Sequence, residues 1–147
     1  MRQAAPGDLP AMARLHGECF PEAWDEAALA GLIAAPGSFA LVAQGAVGFV
    51  LVRVALDEAE ILSICVSPVA RRQGLASSLL QAAGIRATQM GARQMFLEVV
   101  TDNVAAKSLY QTHGFHPVGQ RKAYYQGIDA LVLKADLPLV GNPAKTL

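Results

Sequence analysis

A short basic turn lies between a strand-like segment and a helix-like segment near the middle of the chain. It reads Arg-Arg-Gln-Gly-Leu-Ala from Arg71 to Ala76, after the apolar residues 61–66 and before leucines that recur at helical spacing. A helix N-terminus presents unpaired backbone N–H groups and the positive end of a dipole. Gly74 and Ala76 allow a ligand to approach the backbone closely, while Arg71 and Arg72 supply positive charge. The turn therefore predicts a site for a phosphorylated ligand.

Two further positions carry groups suited to proton transfer. Glu98 lies in the otherwise apolar segment 95–100, and burial disfavours the charged form of a carboxylate, which makes it a better general base. The alternative is a glutamate at a strand edge that points into water. Tyr110 has a phenol that is protonated at neutral pH and can donate to a leaving group, unless it is simply a packed aromatic. Asn103 lies two helical turns before Tyr110, so both project from one helix face, although Asn103 serves equally well as an N-cap.

Helices and strands must position these residues. The apolar periodicity predicts one mixed sheet with helices. In chain order the predicted elements are a strand (residues 1–5), two helices with N-caps at Asp8 and Asp25, strands (39–43, 47–54 and 60–66), a helix (75–90), a strand (94–100), a helix capped at Asp102 or Asn103 and ended by Gly114, and a hairpin (115–125 and 128–133). The crossover through the helix after the basic turn implies that its two flanking strands are parallel. The whole order predicts an α+β fold with about four helices around a mostly antiparallel sheet.

Length and charge limit what the chain can be. Its 147 residues fit one domain, which we expect over residues 1–139, with a flexible tail at 140–147. Twelve basic and twelve acidic residues cancel, which gives no global attraction to nucleic acid or to an anionic membrane. No apolar run reaches the roughly 18 residues of a membrane span, and no signal peptide is visible. We therefore expect a cytoplasmic protein.

Cysteine and histidine residues give little sign of chemistry. Cys19 and Cys65 are too few for a disulfide framework, and we expect both to be core packing. No Cys/His spacing fits a metal site, so we expect no metal. The three histidines, His16, His113 and His116, show no pairing with a nucleophile in the sequence.

The basic turn has neither the Gly-Lys-Ser/Thr of a P-loop nor Gly-x-Gly-x-x-Gly. It resembles the Arg/Gln-x-x-Gly-x-Gly/Ala signature of the GNAT superfamily, the acyl-CoA-dependent N-acetyltransferases, and the predicted element order matches the GNAT fold over nearly the whole chain. Within the superfamily the chain is most similar to the bacterial ribosomal-protein-alanine N-acetyltransferases, the RimI group. The shared residues are Phe20-Pro21, Trp24, Asp57-Glu58-Ala59, Ile64-Cys65-Val66-Ser67-Pro68, Leu97-Glu98-Val99, Asn103, Leu109-Tyr110, Gly114-Phe115, Arg121 and Tyr124-Tyr125.

This resemblance implies an acetyl-CoA-dependent transfer of an acetyl group to a primary amine, by direct attack in a ternary complex. It favours the N-terminal α-amine of a protein as acceptor, with a ribosomal protein as first candidate. The alternatives are a small-molecule amine as acceptor and a non-catalytic CoA-binding or sensor module. We expect no nucleic-acid or membrane partner, and a monomer or weak homodimer.

The resemblance also implies roles for individual residues. Glu98 matches the base of the RimI group, and Tyr110 matches the usual general acid of the superfamily. Glu60 is the rival base, because its position resembles that of the catalytic glutamate in histone-acetylating members. Tyr124 and Tyr125 resemble tyrosines that line the N-terminal peptide site. The residues that we expect to bind acetyl-CoA are Ile64, Cys65, Val66, Arg71, Arg72, Gln73, Gly74, Leu75, Ala76, Asn103, Ser108 and Tyr110.

Overall fold

A computed structural model describes residues 1–125 and 127–140, with the side chains of all of these except 123–125. The strands within this part are β1 (Arg2–Gln3), β2 (Ser38–Val42), β3 (Gly48–Ala55), β4 (Glu58–Val66), β5 (Gln94–Val100), β6 (His116–Tyr125) and β7 (Ile128–Asp136). The α-helices are α1 (Leu9–Cys19), α2 (Glu26–Ala34), α3 (Leu75–Gln89) and α4 (Val104–Thr112). The predicted α+β class and element order are confirmed, with β7 three residues longer than expected at its C-terminal end. The expected tail beyond residue 140 lies outside the described residues.

The strands form one sheet in the order β1-β2-β3-β4-β5-β7-β6. The neighbouring strands are antiparallel except β4 and β5, which are parallel as the crossover through α3 predicted. Their pairing covers only Glu58–Glu60 opposite Gln94–Phe96. Beyond that point β4 stays paired with β3, and β5 stays paired with β7, so the two central strands diverge. The sheet is therefore open as a V at its centre.

Helices cover the two faces of the sheet with separate hydrophobic clusters. One cluster joins α3, through residues such as Leu79, and α4 to inward-facing residues of β3, β4 and β5, among them Val52 and Leu97. The other joins α1 and α2 to the opposite face, with Met12 and Leu29 as buried contacts. Alternate burial along β5 places Met95, Leu97 and Val99 toward α3, and it places Glu98 on the opposite face.

Side-chain caps mark where two of the four α-helices in the described residues begin. Asp25 caps α2 by accepting a hydrogen bond from the Ala28 N–H at 2.8 Å, as predicted. Asp8 occupies the N-cap position of α1, as predicted, but its side chain makes no capping hydrogen bond. The Asp8 carboxylate instead accepts hydrogen bonds from the Arg2 guanidinium and from the Ala5 N–H, each at 2.7 Å. The bidentate pair with Arg2 turns the carboxylate away from α1.

Candidate active site

A cleft of about 590 Å³ lies where the end of β4, the first turn of α3 and helix α4 approach one another. The C-terminal end of α1 closes one side of it through Cys19. The lining residues are Cys19, Ile64, Val66, Ala70, Arg71, Arg72, Gly74, Leu75, Ala76, Ser77, Asn103, Ala105, Ala106, Leu109 and Tyr110. Nine of the twelve residues predicted to bind the cofactor lie in this lining, although they come from three separate elements.

The basic turn has the backbone geometry that anion binding requires. Gly74 is the N-cap of α3 with φ of 74°, and it has no side chain to occupy the first-turn N–H groups. A Cβ added to Gly74 would meet nothing within 4 Å, so the positive φ, rather than lack of space, is what favours glycine here. Arg72 also has a positive φ of 66°. This end of the cleft is suited to a phosphate group.

Arg71 and Cys19 tie the end of β4 to the end of α1. The Arg71 Nε donates to the Val66 carbonyl at 3.2 Å, and its Nη2 lies 3.7 Å from the Cys19 Sγ. The Cys19 thiol in turn donates to the same carbonyl at 3.5 Å. Arg71 therefore lines the cleft while its guanidinium is engaged at the strand end. Cys19, expected only as core packing, is a half-buried part of the cleft wall.

Cys65 belongs to the core, as predicted, and not to the cleft lining. Its side chain packs beneath α1 in the second cluster. Burial raises the pKa of the Cys65 thiol to about 12, which keeps it protonated at neutral pH. A protonated thiol is a poor nucleophile, which is consistent with direct attack rather than an acyl-cysteine intermediate.

Tyr110 and Asn103 project from α4 toward the cleft. Tyr110 is 6% exposed and packs edge-on against Phe115, with ring centroids 5.8 Å apart. Burial raises the pKa of Tyr110 to about 12, so the phenol remains a proton donor throughout the physiological range. Asn103 caps α4, as predicted, by accepting from the Ala106 N–H at 3.1 Å, and it also lines the cleft.

His113 forms a contact that the sequence did not reveal. Its Nδ1 lies 3.1 Å from the Val140 carbonyl, which can only accept, so Nδ1 carries the proton. Ser77 therefore donates its hydroxyl to the other ring nitrogen, Nε2, at 2.7 Å. The sequence showed no pairing of His113 with a nucleophile, whereas the structure pairs it with the Ser77 hydroxyl. The 36 residues that separate the two side chains in sequence hide the pairing.

Glu98 and Glu60 lie on the face of the sheet opposite α3. Glu60 and Phe96 are register partners in parallel strands, and Glu98 follows Phe96 on the same side of β5. The Glu98 side chain is 24% exposed, and its Oε1 lies 2.8 Å from the Nε of Arg121. Neither glutamate lines the cleft just described. Both face the region where an acceptor would approach through the V.

Glu60 is the more solvated of the two glutamates. It forms an ion pair with Arg53 at 3.2 Å, and the two side chains are 50% and 46% exposed respectively. Both line a separate depression of about 440 Å³ together with Phe96. Glu98 is thus the partly buried carboxylate, whereas Glu60 is open to water.

The remaining predicted residues lie elsewhere. Gln73 and Ser108 are exposed and do not line the cleft. Tyr124 and Tyr125 lie on β6, and their side chains are outside the described residues. Over residues 1–125 and 127–140, no group of three or more His, Cys, Asp or Glu side chains is arranged to hold a metal ion. No helix in that part of the chain has the length and apolar character needed to cross a membrane.

Sequence comparison places the chain in a known class. Residues 9–115 match the acetyltransferase (GNAT) family, and the chain belongs to it. It is an acetyl-CoA-dependent N-acetyltransferase with the GNAT fold.

Individual relatives show which N-acetyltransferases the chain is similar to within this family. The chain is 32% identical over 124 residues to the [ribosomal protein bS18]-alanine N-acetyltransferase of Escherichia coli K12, covering 83% of this chain and 84% of the relative. It is 35% identical over 88 residues to a Bacillus subtilis protein described as a putative enzyme of the same name, covering 58% of each. The crystal structure of the Escherichia coli ribosomal-protein-S18-alanine N-acetyltransferase superimposes with a TM-score of 0.82 at 29% identity, covering 96% and 95% of the two chains. Ard1 of Thermoplasma volcanium gives a TM-score of 0.83 at 25% identity, covering 92% and 95%.

Proposed function

We propose that this enzyme acetylates the N-terminal α-amine of a protein, with a ribosomal protein as first candidate and the cytoplasm as its compartment. The E. coli relative, whose name gives a ribosomal-protein alanine as acceptor, supports the class of acceptor. The observation that carries the mechanism is the divergence of β4 from β5 after Glu60 and Phe96. A ligand in the V can contact a proton donor on one face of the sheet and a carboxylate on the other.

The cofactor half of the site fits acetyl-CoA. First-turn amides of α3, from Leu75 to Ser77, and Arg72 would hold the pyrophosphate. The edge of β4 that diverges from β5, through the Ile64 backbone and the Val66 N–H, would pair with the amides of the pantetheine arm, and Asn103 would bond the same arm from the start of α4. The thioester then lies between Val66 and Tyr110, both of which line the cleft.

The chemical step needs a neutral amine and a protonated leaving group. Glu98 accepts the proton of the α-ammonium through a water molecule, and the amine nitrogen then attacks the thioester carbonyl. The tetrahedral intermediate collapses with loss of the CoA thiolate, which takes the proton of the Tyr110 phenol, and the nitrogen gives up its second proton to the Tyr110 phenolate as the amide forms. An α-amine with a pKa near 8 requires only a modest base, unlike a lysine side chain near about 10.4. Direct attack in a ternary complex follows, because no enzyme nucleophile takes part.

The experiment is thiol release from acetyl-CoA with three kinds of acceptor. These are peptides with a free N-terminus and varied first residues, the same peptides N-terminally blocked but carrying lysine, and small amines. We expect turnover only on free N-termini. Turnover on small amines alone would replace the proposal with metabolite acetylation, and CoA binding without any turnover would favour a sensor module.

The base is assigned by a matched pair of variants. Glu98→Gln should lower kcat by roughly a hundredfold, as expected for loss of a general base, with little change in the KM for acetyl-CoA. Glu60→Gln removes an equal charge from the same sheet face and should retain most of kcat. The reverse pattern would assign the base to Glu60.

A further inference from the structure

The candidate base is held by an arginine from a different strand. Arg121 on β6 and Glu98 on β5 are separated by β7, where their register partners are Ala130 and Val132. The side chains meet across this intervening strand, with the Arg121 Nε 2.8 Å from the Glu98 Oε1. Arg121 is 59% exposed and Glu98 is 24% exposed, so the pair forms at the edge of the region where the acceptor would approach.

A guanidinium in this position fixes the carboxylate plane through Oε1 and leaves the second oxygen, Oε2, to take the proton from water or amine. Catalytic groups lose much of their effect when they are misplaced by about 1 Å, so such an anchor affects rate rather than cofactor affinity.

The second ion pair on this face provides a contrast. Arg53 and Glu60 are 3.2 Å apart, and both side chains are about half exposed. Exposed pairs of this kind are screened by water and contribute little. The charged residues of the intervening strand β7 are Asp129, Lys134 and Asp136, and its cation, Lys134, is the register partner of Phe96 rather than of Glu98. Among the described side chains, Arg121 is therefore the cation placed to orient Glu98.

We propose that Arg121 is a positioning residue, which holds the Glu98 carboxylate in the orientation needed for proton transfer from the acceptor amine. The inference rests on the proposed role of Glu98 as general base. Arg121 itself transfers no proton and does not contact the cofactor cleft.

Three single variants test the proposal. Arg121→Gln should lower kcat on the best peptide about tenfold and leave the KM for acetyl-CoA unchanged. Arg121→Lys keeps the positive charge and should recover most of that loss. Arg53→Gln is the matched control, because it removes the same charge from the same sheet face, and it should keep wild-type kcat. Thermal unfolding of each variant checks that the fold is intact.

A double variant tests whether Arg121 acts through Glu98. At pH 9 most of the acceptor α-amine is neutral, since its pKa is about 8, so the residual rate of Glu98→Gln can be measured. In that background Arg121→Gln should cause no further loss, because the group that it positions is absent. An additional loss equal to that in the wild type would overturn the proposal.

The outcomes separate this inference from the proposed function. Loss of kcat in Glu98→Gln together with full kcat in Arg121→Gln leaves the base in place and refutes the positioning role. Equal losses in Arg121→Gln and Arg53→Gln refute it as well, because the effect is then general to the charge of this face. Full kcat in Glu98→Gln refutes the base assignment itself.

Discussion

At the scale of single residues, Tyr110 shows how burial prepares a proton donor. The phenol lies at the junction of α4 and the cleft, is nearly fully buried, and packs edge-on against Phe115. Burial penalises the phenolate, and the negative charge that Cys65 would carry adds to the penalty, so the pKa rises to about 12. Tyr110 therefore stays protonated throughout the physiological range and is available as a donor to a leaving group that gains negative charge.

Replacing Tyr110 by phenylalanine should therefore remove the acid while keeping the packing. We expect kcat to fall by roughly a hundredfold, the usual contribution of a general acid, with the KM for acetyl-CoA little changed. In the wild type the acid is needed protonated, so its contribution should persist above pH 10 and fade only as the pH rises toward 12. Steady-state rates from pH 7 to pH 10.5 measure this. A wild-type kcat in Tyr110→Phe would place the acid elsewhere.

At the scale of elements, His16 connects α1 to the start of α2. The imidazole is buried between Phe20 and Trp24, with centroid distances of 4.5 Å and 4.7 Å. Its Nδ1 accepts a hydrogen bond from the Trp24 N–H at 3.0 Å, which requires the neutral ring. Burial lowers the pKa of His16 below its ordinary value of 6.5. The packing of these helices, which cover one face of the sheet, therefore depends on an uncharged histidine.

This dependence predicts a loss of stability in mild acid. Below pH 6.5 the unfolded chain binds a proton at His16 that the folded chain resists, so the free energy of unfolding falls as the pH falls. His16→Phe loses the hydrogen-bond acceptor and should be about 1 kcal/mol less stable at pH 7.5. It has no proton to gain, so its deficit should shrink as the pH is lowered to 5.

Urea unfolding at several pH values measures the difference. His116→Gln, which alters an exposed histidine, is the matched control and should follow the wild type closely. A constant difference between wild type and His16→Phe over pH 5 to 7.5 would refute the role of His16 in the acid sensitivity.

At this scale, the sequence predicted single elements and their caps but not the contacts between elements. The strand at 94–100 and the caps at Asp25 and Asn103 follow from local periodicity and capping chemistry, and the structure confirms them. The capping rule identified Asp8 as the N-cap residue of α1 but did not predict its side-chain contacts, because the carboxylate pairs with Arg2. The pairs Ser77–His113 and Glu98–Arg121 depend on how separate elements dock, and no local pattern encodes them. The three-residue pairing of β4 with β5, which opens the site, is equally non-local.

At the scale of the whole molecule, the sheet has a gap between β4 and β5, and a separate hydrophobic cluster covers each of its faces. One hydrophobic cluster holds α3 and α4, and the other holds α1 and α2. Apolar side chains of the first cluster that also line the cleft, such as Val66, Ala70 and Leu109, face the site where the pantetheine arm is proposed to lie. A ligand there would join β4 to α4, while a ligand limited to the basic turn would touch only the start of α3 and its surroundings.

This difference predicts that CoA stabilises the fold more than its nucleotide portion does. At a concentration about 100 times its Kd, CoA should add about 2.7 kcal/mol to the free energy of unfolding, since it binds only the folded chain. Adenosine 3′,5′-bisphosphate, which lacks the pantetheine arm, should give a smaller shift in Tm at the same concentration. Arg72→Gln should reduce both shifts because it weakens the phosphate site that the two ligands share. Equal shifts from CoA and the bisphosphate would mean that the arm makes no contact in the V, and the thioester could then not reach Tyr110.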